Sequence, residues 1–305
     1  MTRFRFVPVA VLIVAFALGA CSSDDSDSAT STPKGDCPTA PVPVVVSVDQ
    51  WGDIVEQLAG DCGDVTTVFK SSSADPHDYE PTPGDIAKFT GSKLVVVNGL
   101  DYDPWANKAV DALDEQPTLV DGGEVVGLQE GDNPHIWYGP QFVRDVSDAV
   151  TEALKKIQPE AAEYFDGQAT KWDAALEPYD AEIARIEAVA PGKTYGATEG
   201  IFSYMAEAVG LDNLTPLGYR TATDNESDPA PGDVNEFEQA LADGTISVLI
   251  YNTQTEGAIP EQVRAQAEQN NVPVVDVTES VPPGIDSFVE WQVGQLKDLA
   301  TALEA

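Results

Sequence analysis

Several residue types are scarce in this chain, and each scarcity excludes a class of function. The 305 residues include only two histidines and three cysteines, and Lys plus Arg number 16 against 52 for Asp plus Glu. The formal net charge of −36, with no basic stripe to offset it, excludes nucleic acid as a partner. The chain has no His-Glu-x-x-His helix and no nucleophile elbow, so the sequence predicts a protein that is not an enzyme.

The one long apolar run lies at the N-terminus. A positively charged head precedes the stretch from Phe6 to Leu18, which is too short to span a bilayer comfortably. The Leu-Gly-Ala-Cys motif that ends at Cys21 resembles a bacterial lipobox, in which the cysteine is lipidated after cleavage. A coincidental cysteine near an ordinary cleavage site is the alternative. We predict a signal peptide over 1–20, lipidation of Cys21, a flexible tether over 21–41, and anchoring to the outer face of the bacterial cytoplasmic membrane.

The other two cysteines, Cys37 and Cys62, are predicted to form a disulfide. After export they lie in an oxidising environment, where a pair of cysteines is bridged more often than free. Neither has a neighbouring cysteine or histidine with the spacing of a metal site.

From Val42 onward, short apolar strands alternate with amphipathic helices. The β-branched run Val42–Val48 is typical of a buried strand, and the repeated alternation predicts parallel sheets with helices on both faces. A long helical segment separates two such regions. We therefore predict an α/β fold of two Rossmann-like lobes, 42–158 and 190–305, joined by one long rigid helix over 159–189.

Both histidines lie in proline-rich frames that are near-copies of each other. His77 follows Pro76 and His135 follows Pro134, so a proline restrains the backbone before each imidazole. One such histidine alone is more often an ordinary loop residue. Two matched frames predict half of a transition-metal site, because imidazole is the commonest ligand for these ions.

Two acidic residues follow predicted strands of the second lobe. Glu199 follows the strand near Thr194 and Glu279 follows the strand that ends at Val277, so both lie where α/β sheets bind ligands. Two neutral imidazoles and two carboxylates would balance the charge of a divalent cation in the cleft between the lobes. Each acid taken singly is more often a helix cap or a solvent-facing residue, and Asp276 is an alternative to Glu279.

The motif around His77 is the most specific signal. The stretch 75–83 resembles the D-P-H-x-Y-E-P-T-P motif of the metal-binding solute receptors of bacterial ABC importers, and 98–100, 133–137 and 228–233 are also similar to family sequences. The resemblance implies two α/β lobes joined by a rigid helix, no organic cofactor, and a metal ion handed to an ABC permease. It also implies four metal ligands, at His77, His135, Glu199 and Glu279.

The chain departs from the family pattern at three positions. Glu199 stands where the family often has His, and Glu279 stands where it usually has Asp. Asn133 stands where the family often has Asp, which predicts the loss of a possible hydrogen-bond acceptor behind the metal ligands.

The ligand set favours Mn²⁺, with Zn²⁺ next and iron as a further possibility. Carboxylates that bind through both oxygens raise the coordination number above the four that zinc prefers. Zn²⁺ has the higher intrinsic affinity for most such sites, so binding of both ions in vitro is expected. We expect a monomer that binds metal for transport. The alternatives are a secreted metal-dependent hydrolase and a surface adhesin with a structural metal.

Overall fold

The strands of the first lobe form one parallel sheet. The computed structural model describes residues 34–70, 79–225, 227–255 and 257–304. The strands are β1 (Val42–Val48), β2 (Gly63–Phe69), β3 (Leu94–Val97) and β4 (Thr118–Asp121). They are ordered β2-β1-β3-β4, and all their pairings are parallel. The β-branched run predicted as the first strand is confirmed, with the predicted bounds.

Helices pack against both faces of this sheet. They are α1 (Asp49–Ala59), α2 (Pro83–Ala87), α3 (Pro104–Asp111), α4 (Gly122–Val125) and α5 (Pro140–Ile157). Side chains of a strand alternate between its faces, and the two faces of β1 accordingly join different apolar clusters. Val44 and Val46 lie in the cluster that includes residues of α1 and α5, whereas Val45 lies in the cluster that includes residues of α3.

A helix, α2, begins directly after the segment that carries His77. The Thr82 side chain accepts a hydrogen bond from the Asp85 backbone N–H, and the Asp85 carboxylate accepts one from the Thr82 N–H at 3.0 Å. This reciprocal capping box satisfies backbone donors that the first helical turn leaves unpaired. The capping box therefore fixes the point at which the helix begins, directly after the segment that carries His77.

Two helices, and not one, link the lobes. The predicted continuous helix is divided into α6 (Ala162–Ala175) and α7 (Glu177–Val189), with the interruption at Leu176. Pro178 causes the break, because it has no N–H to donate to the carbonyl of Ala174 one turn earlier. Trp172 of α6 and Tyr179 of α7 both contact Phe288, with ring centroids 6.1 Å apart in each pair.

The second lobe contains a second parallel sheet. Its strands are β5 (Thr194–Ala197), β6 (Asp212–Asn213), β7 (Val248–Asn252) and β8 (Val274–Val277), in the order β6-β5-β7-β8. Its helices are α8 (Ser203–Ala208), α9 (Leu217–Thr223), α10 (Pro231–Ala242), α11 (Ala258–Gln269) and α12 (Phe288–Glu304). The predicted fold of two α/β lobes with parallel sheets is confirmed.

Aromatic side chains pack where the lobes meet. Tyr138, in a 3₁₀ turn over Ile136–Tyr138, contacts Phe202 and Trp291 at centroid distances of 5.2 and 6.0 Å. Its hydroxyl donates to the carbonyl oxygen of Thr278 at 2.7 Å. The interface between the lobes is therefore built of apolar contacts with internal hydrogen bonds.

The predicted disulfide is present. Cys37 and Cys62 are bonded, and both are buried. The bond joins the segment before β1 to the turn before β2, so it closes the chain around the first helix of the lobe. Among the helices of the described residues, none combines the length and apolar character needed to cross a bilayer.

Candidate metal centre

Three of the four predicted ligands converge at one place. Glu199 and Glu279 each lie two residues beyond the carboxyl end of a parallel strand, β5 and β8, and His135 enters from a loop of the first lobe. One ligand atom from each of the three residues can be chosen so that all lie within 4.8 Å of one another. His77 belongs to the segment 71–78, which lies outside the described residues. The loops of both lobes therefore contribute to one cluster.

Asn133 orients the imidazole of His135. The Asn133 side-chain Nδ2 donates to the carbonyl oxygen of Gly200 at 2.7 Å, so its Oδ1 faces His135. That oxygen lies 2.7 Å from His135 Nδ1 and also accepts the His135 backbone N–H at 3.0 Å. Since Oδ1 can only accept, Nδ1 is the ring nitrogen that carries a hydrogen in this contact, and Nε2 is the nitrogen that faces the carboxylates. Nε2 lies 3.5 Å from Glu279 Oε2, within the cluster.

The role of Asn133 corrects the expectation drawn from the sequence. Replacement of Asp by Asn was predicted to remove an acceptor behind the ligands, whereas the amide oxygen of Asn133 supplies one. The amide nitrogen adds a hydrogen bond to the second lobe through Gly200, which a carboxylate could not donate. An amide side chain carries both an acceptor oxygen and a donor nitrogen, and the sequence spacing of Asn133 and His135 does not indicate which of these atoms faces the imidazole.

Aromatic rings enclose His135. Tyr102 and Trp137 contact the imidazole edge-on, at centroid distances of 6.0 and 5.2 Å. The Tyr102 hydroxyl accepts from Gln50 Nε2 at 2.8 Å and donates to Glu279 Oε2 at 3.3 Å. This packing restricts rotation of the imidazole and leaves His135 only 5% exposed.

The two carboxylates share one donor. Asn252, the last residue of β7, places its Nδ2 2.7 Å from Glu199 Oε2 and 2.9 Å from Glu279 Oε1. Glu199 Oε2 also accepts from the hydroxyl of Thr255. Burial, and then the neighbouring Glu279 carboxylate, raise the pKa of Glu199 above its ordinary value. Two carboxylates held this close repel each other when both are ionised, and a divalent cation between them would offset that repulsion.

Gln254 holds the backbone that carries Glu279. Its side-chain Oε1 accepts the backbone N–H groups of Glu279 at 2.6 Å and Ser280 at 2.9 Å. Sequence reasoning did not identify Asn252 or Gln254. A signal was available in the strand order, because β7 lies between β5 and β8 and its carboxyl end must lie between the two glutamates.

The alternative acid Asp276 lies elsewhere. Its carboxylate pairs with Arg264 at 2.7 Å, and its side chain is 52% exposed. Asp276 lies within β8, whereas Glu279 lies two residues beyond the end of that strand and is 1% exposed. Of the two candidates for the fourth ligand, Glu279 is the one in the cluster.

The chemistry of the donor set fits a divalent transition metal. An imidazole nitrogen with its other nitrogen hydrogen-bonded, next to two carboxylates, is a common arrangement around such ions. The charge of the two acids would be offset by the ion, and the aromatic and amide neighbours supply the supporting hydrogen bonds.

Comparisons with known proteins agree with this geometry. A family model described as ZnuA, the periplasmic component A of zinc-uptake complexes, matches residues 44–302. The iron-binding protein YfeA of Yersinia pestis is 26% identical over 235 residues, which are 73% of this chain and 74% of that protein. The high-affinity zinc uptake system protein ZnuA of Bacillus subtilis is 22% identical over 260 residues, 79% of each chain.

A solved structure shares the fold. A mutant, Mn-bound form of a periplasmic metal binding protein from Candidatus Liberibacter asiaticus superposes with a TM-score of 0.73 at 19% identity. The match covers 86% of this chain and 99% of that one. The three similar proteins are thus named for, or contain, three different metals: iron, zinc and manganese.

Proposed function

The chain belongs to this ZnuA family, and we propose that it is a solute-binding lipoprotein that captures a divalent transition metal and delivers it to an ABC permease. The observation that carries the proposal is the convergence of His135, Glu199 and Glu279. No chemistry on the ion is required, since binding and release suffice. The relatives are named as binding or uptake proteins, which supports a transport role over the hydrolase and the adhesin.

The complete ligand set is proposed to be His77, His135, Glu199 and Glu279. His77 is included because its frame matches that of His135 and because three ligands leave a position to fill on a tetrahedral ion. The ion is proposed to bind between the N-terminal lobe, 42–158, and the C-terminal lobe, 190–305, with 159–189 linking them.

The ligand set also bears on the identity of the ion. Mn²⁺ is the sequence-based preference, on the ground that carboxylates can bind through both oxygens. In the structure one oxygen of each glutamate accepts a hydrogen bond from Asn252. These hydrogen bonds disfavour binding of an ion through both oxygens of a carboxylate, and they therefore favour Zn²⁺, which prefers four ligands. We expect the protein to bind both ions, with Zn²⁺ the tighter in vitro.

We propose that the mature chain is held outside the cytoplasmic membrane by a lipid on Cys21, after removal of 1–20, with 21–41 as a tether. The family description as periplasmic supports an extracytoplasmic location. Replacement Cys21→Ser should move the protein from the membrane fraction to the soluble fraction. Continued retention in the membrane would contradict the lipid anchor and leave the metal-binding proposal intact.

The central experiment is a competition titration of the purified protein with Mn²⁺ and Zn²⁺. We expect one ion per chain, and a loss of affinity by orders of magnitude in His77→Ala and in His135→Ala. Circular dichroism should show that both variants remain folded, since a transport receptor is stable when empty. Unchanged affinity in either variant would remove that residue from the ligand set, and no binding by the wild type would overturn the proposal.

A further inference from the structure

A cavity of about 370 Å³ lies between the two lobes. Residues of α1 and β2 in the first lobe form one part of its wall, and the segment 281–287 of the second lobe forms another. None of the described metal ligands lines it. Sites for small organic ligands have volumes of roughly 300–1,000 Å³, and a single metal ion would leave most of such a space to water. The volume therefore favours a small organic ligand.

The lining carries more negative than positive charge. It contains four carboxylates and one ammonium group, which belong to Asp49, Asp53, Glu56, Asp286 and Lys70. Lys70 Nζ lies 3.7 Å from Glu56, and both of these side chains are about half exposed. Within the described residues, no salt bridge joins the three aspartates to a basic side chain. A cation that enters the cavity would offset their charge.

Two polar atoms in the wall have no hydrogen-bond partner among the described residues. One is the buried Oδ1 of Asp49, and the other is Oγ1 of Thr67, a residue that is 7% exposed. A Cβ at Gly52 would lie 2.7 Å from Thr67 Oγ1, so this hydroxyl faces the part of α1 that has no side chain. Both Gly52 and Thr67 line the cavity. A carboxylate oxygen and a hydroxyl oxygen both accept hydrogen bonds, so a ligand with N–H donors would satisfy them.

The two aspartates of α1 are affected by this unbalanced charge. Burial raises the pKa of Asp49 to about 7, although the Lys70 ammonium acts in the opposite direction. Burial also raises the pKa of Asp53, one helical turn further along α1. A bound cation would favour the ionised form of both carboxylates and lower both pKa values.

Apolar side chains complete the lining, namely Val281, Pro282, Pro283 and Ile285. Such side chains pack favourably against methylene groups and offer no ligand to a bare ion. We propose that this cavity is a binding site for an organic cation, whose ammonium or guanidinium group donates hydrogen bonds to Asp49 and Thr67. The methylene groups of the ligand pack against the segment 281–285. This site is separate from the metal cluster and does not depend on the proposed transport of metal.

The test is a calorimetric titration of the purified, metal-free protein with agmatine, at about pH 8 so that Asp49 is ionised. Agmatine carries an ammonium and a guanidinium group on a short chain of methylene groups. A blocked tripeptide with a central arginine is titrated in parallel. Binding of agmatine alone would indicate a free small molecule as the ligand, and binding of the peptide would indicate a side chain of a partner protein. Binding of neither would overturn the inference.

Two variants and one control locate the site. Asp49→Asn should weaken agmatine binding about tenfold or more, because a hydrogen bond between two charged groups is lost. Thr67→Val keeps the shape of the side chain and removes the hydroxyl, so binding should weaken about threefold to tenfold. Asp64→Asn makes the same change of charge at an exposed position of β2 outside the cavity, and its affinity should match that of the wild type. Equal weakening in Asp49→Asn and Asp64→Asn would mean that agmatine is attracted only by the acidic surface.

A measurement on the wild type keeps the inference testable if the variants do not fold. In the nuclear magnetic resonance spectrum, the methylene hydrogens of bound agmatine should show nuclear Overhauser contacts to the methyl groups of Val281 and Ile285. Binding without these contacts would place agmatine elsewhere and contradict the proposal.

Titration in the presence of excess Zn²⁺ separates this inference from the proposed function. Agmatine should bind to the protein with or without Zn²⁺, since none of the described metal ligands lines the cavity. Displacement of agmatine by Zn²⁺ would place it among the metal ligands and overturn the inference. Absence of Zn²⁺ and Mn²⁺ binding would overturn the proposed function and leave the agmatine result standing.

Discussion

Asn133 Oδ1 lies 2.7 Å from His135 Nδ1, and the same amide donates to the second lobe at Gly200. The residue that orients the ligand thus also ties the two lobes together. These two functions can be separated, because one requires the oxygen and the other the nitrogen.

The first prediction separates them. Asn133→Ala removes the acceptor behind His135 and should weaken metal binding about 10- to 100-fold, a typical effect for partners of metal-bound histidines. Asn133→Asp keeps an acceptor and loses only the donor to Gly200, so its affinity should stay close to that of the wild type. Calorimetric titration of both variants checks the prediction. Equal losses in the two would show that the contact with Gly200, and not ring orientation, governs affinity.

The second prediction concerns the fourth ligand. Glu279→Ala should abolish tight metal binding, whereas Asp276→Ala should leave it unchanged. The exposed pair of Asp276 with Arg264 should contribute only about 0–1 kcal/mol to the free energy of unfolding, so Asp276→Ala should remain folded and can be titrated. Loss of binding in Asp276→Ala with retention in Glu279→Ala would reverse the assignment.

The third prediction is the pH dependence of binding. Because the pKa of Glu199 is raised, this carboxyl keeps its proton to a higher pH than an ordinary glutamate, and the metal must displace that proton. Affinity should therefore fall steadily as the pH is lowered from about 7 to about 4.5. Proton release measured in two buffers of different ionisation enthalpy provides a second reading. A flat affinity over this range would argue against carboxylate ligands.

The fourth prediction concerns stability away from the metal ligands. Burial raises the pKa of Asp49, the first residue of α1, from 3.8 to about 7, although it accepts a hydrogen bond from the backbone of Val281. An acid with a raised pKa binds its proton more strongly in the folded chain than in the unfolded chain. Stability is therefore lost as the pH rises from about 4 through about 7, and the penalty is complete above that.

Replacement Asp49→Asn removes this penalty while it keeps an acceptor for Val281. The midpoint of thermal unfolding should rise relative to the wild type at about pH 8 and should match it at about pH 4. Asp64→Asn, at an exposed position on β2, is the control for a change of net charge. A similar rise in both variants at about pH 8 would indicate that overall charge repulsion, and not the burial of Asp49, is the cause.

Strong periodic patterns made most of the fold predictable from the sequence. Val42–Val48 is β-branched throughout most of its length and forms the predicted strand, since such residues pack well in a sheet covered on both faces. The interruption of the linking helix at Leu176 was missed, although Pro178 carries the signal. The helical spacing of apolar residues continues on both sides of Leu176, so this periodicity alone does not reveal that the helix is interrupted there.

The site was only partly predictable, because its supporting contacts join distant parts of the chain. The paired histidine frames indicate ligands directly, whereas Glu199 and Glu279 depended on the family resemblance. Asn252 has no local signature, since an asparagine at the end of a strand usually marks the turn that follows. Its function arises from the position of β7 between two other strands, which only the assembled sheet defines.

Burial of the ligands has a consequence for the ions that are excluded. With His135 5% exposed and Glu279 1% exposed, an entering ion must give up its shell of water molecules. Mg²⁺ dehydrates reluctantly and usually keeps several waters when it binds to proteins, and imidazole is a poor substitute for them. Magnesium has the same charge as the transition metals, so electrostatic attraction cannot reject it. The cost of removing bound water is larger for Mg²⁺, and the burial of these side chains requires that water to be removed, so hydration distinguishes Mg²⁺ from the transition metals.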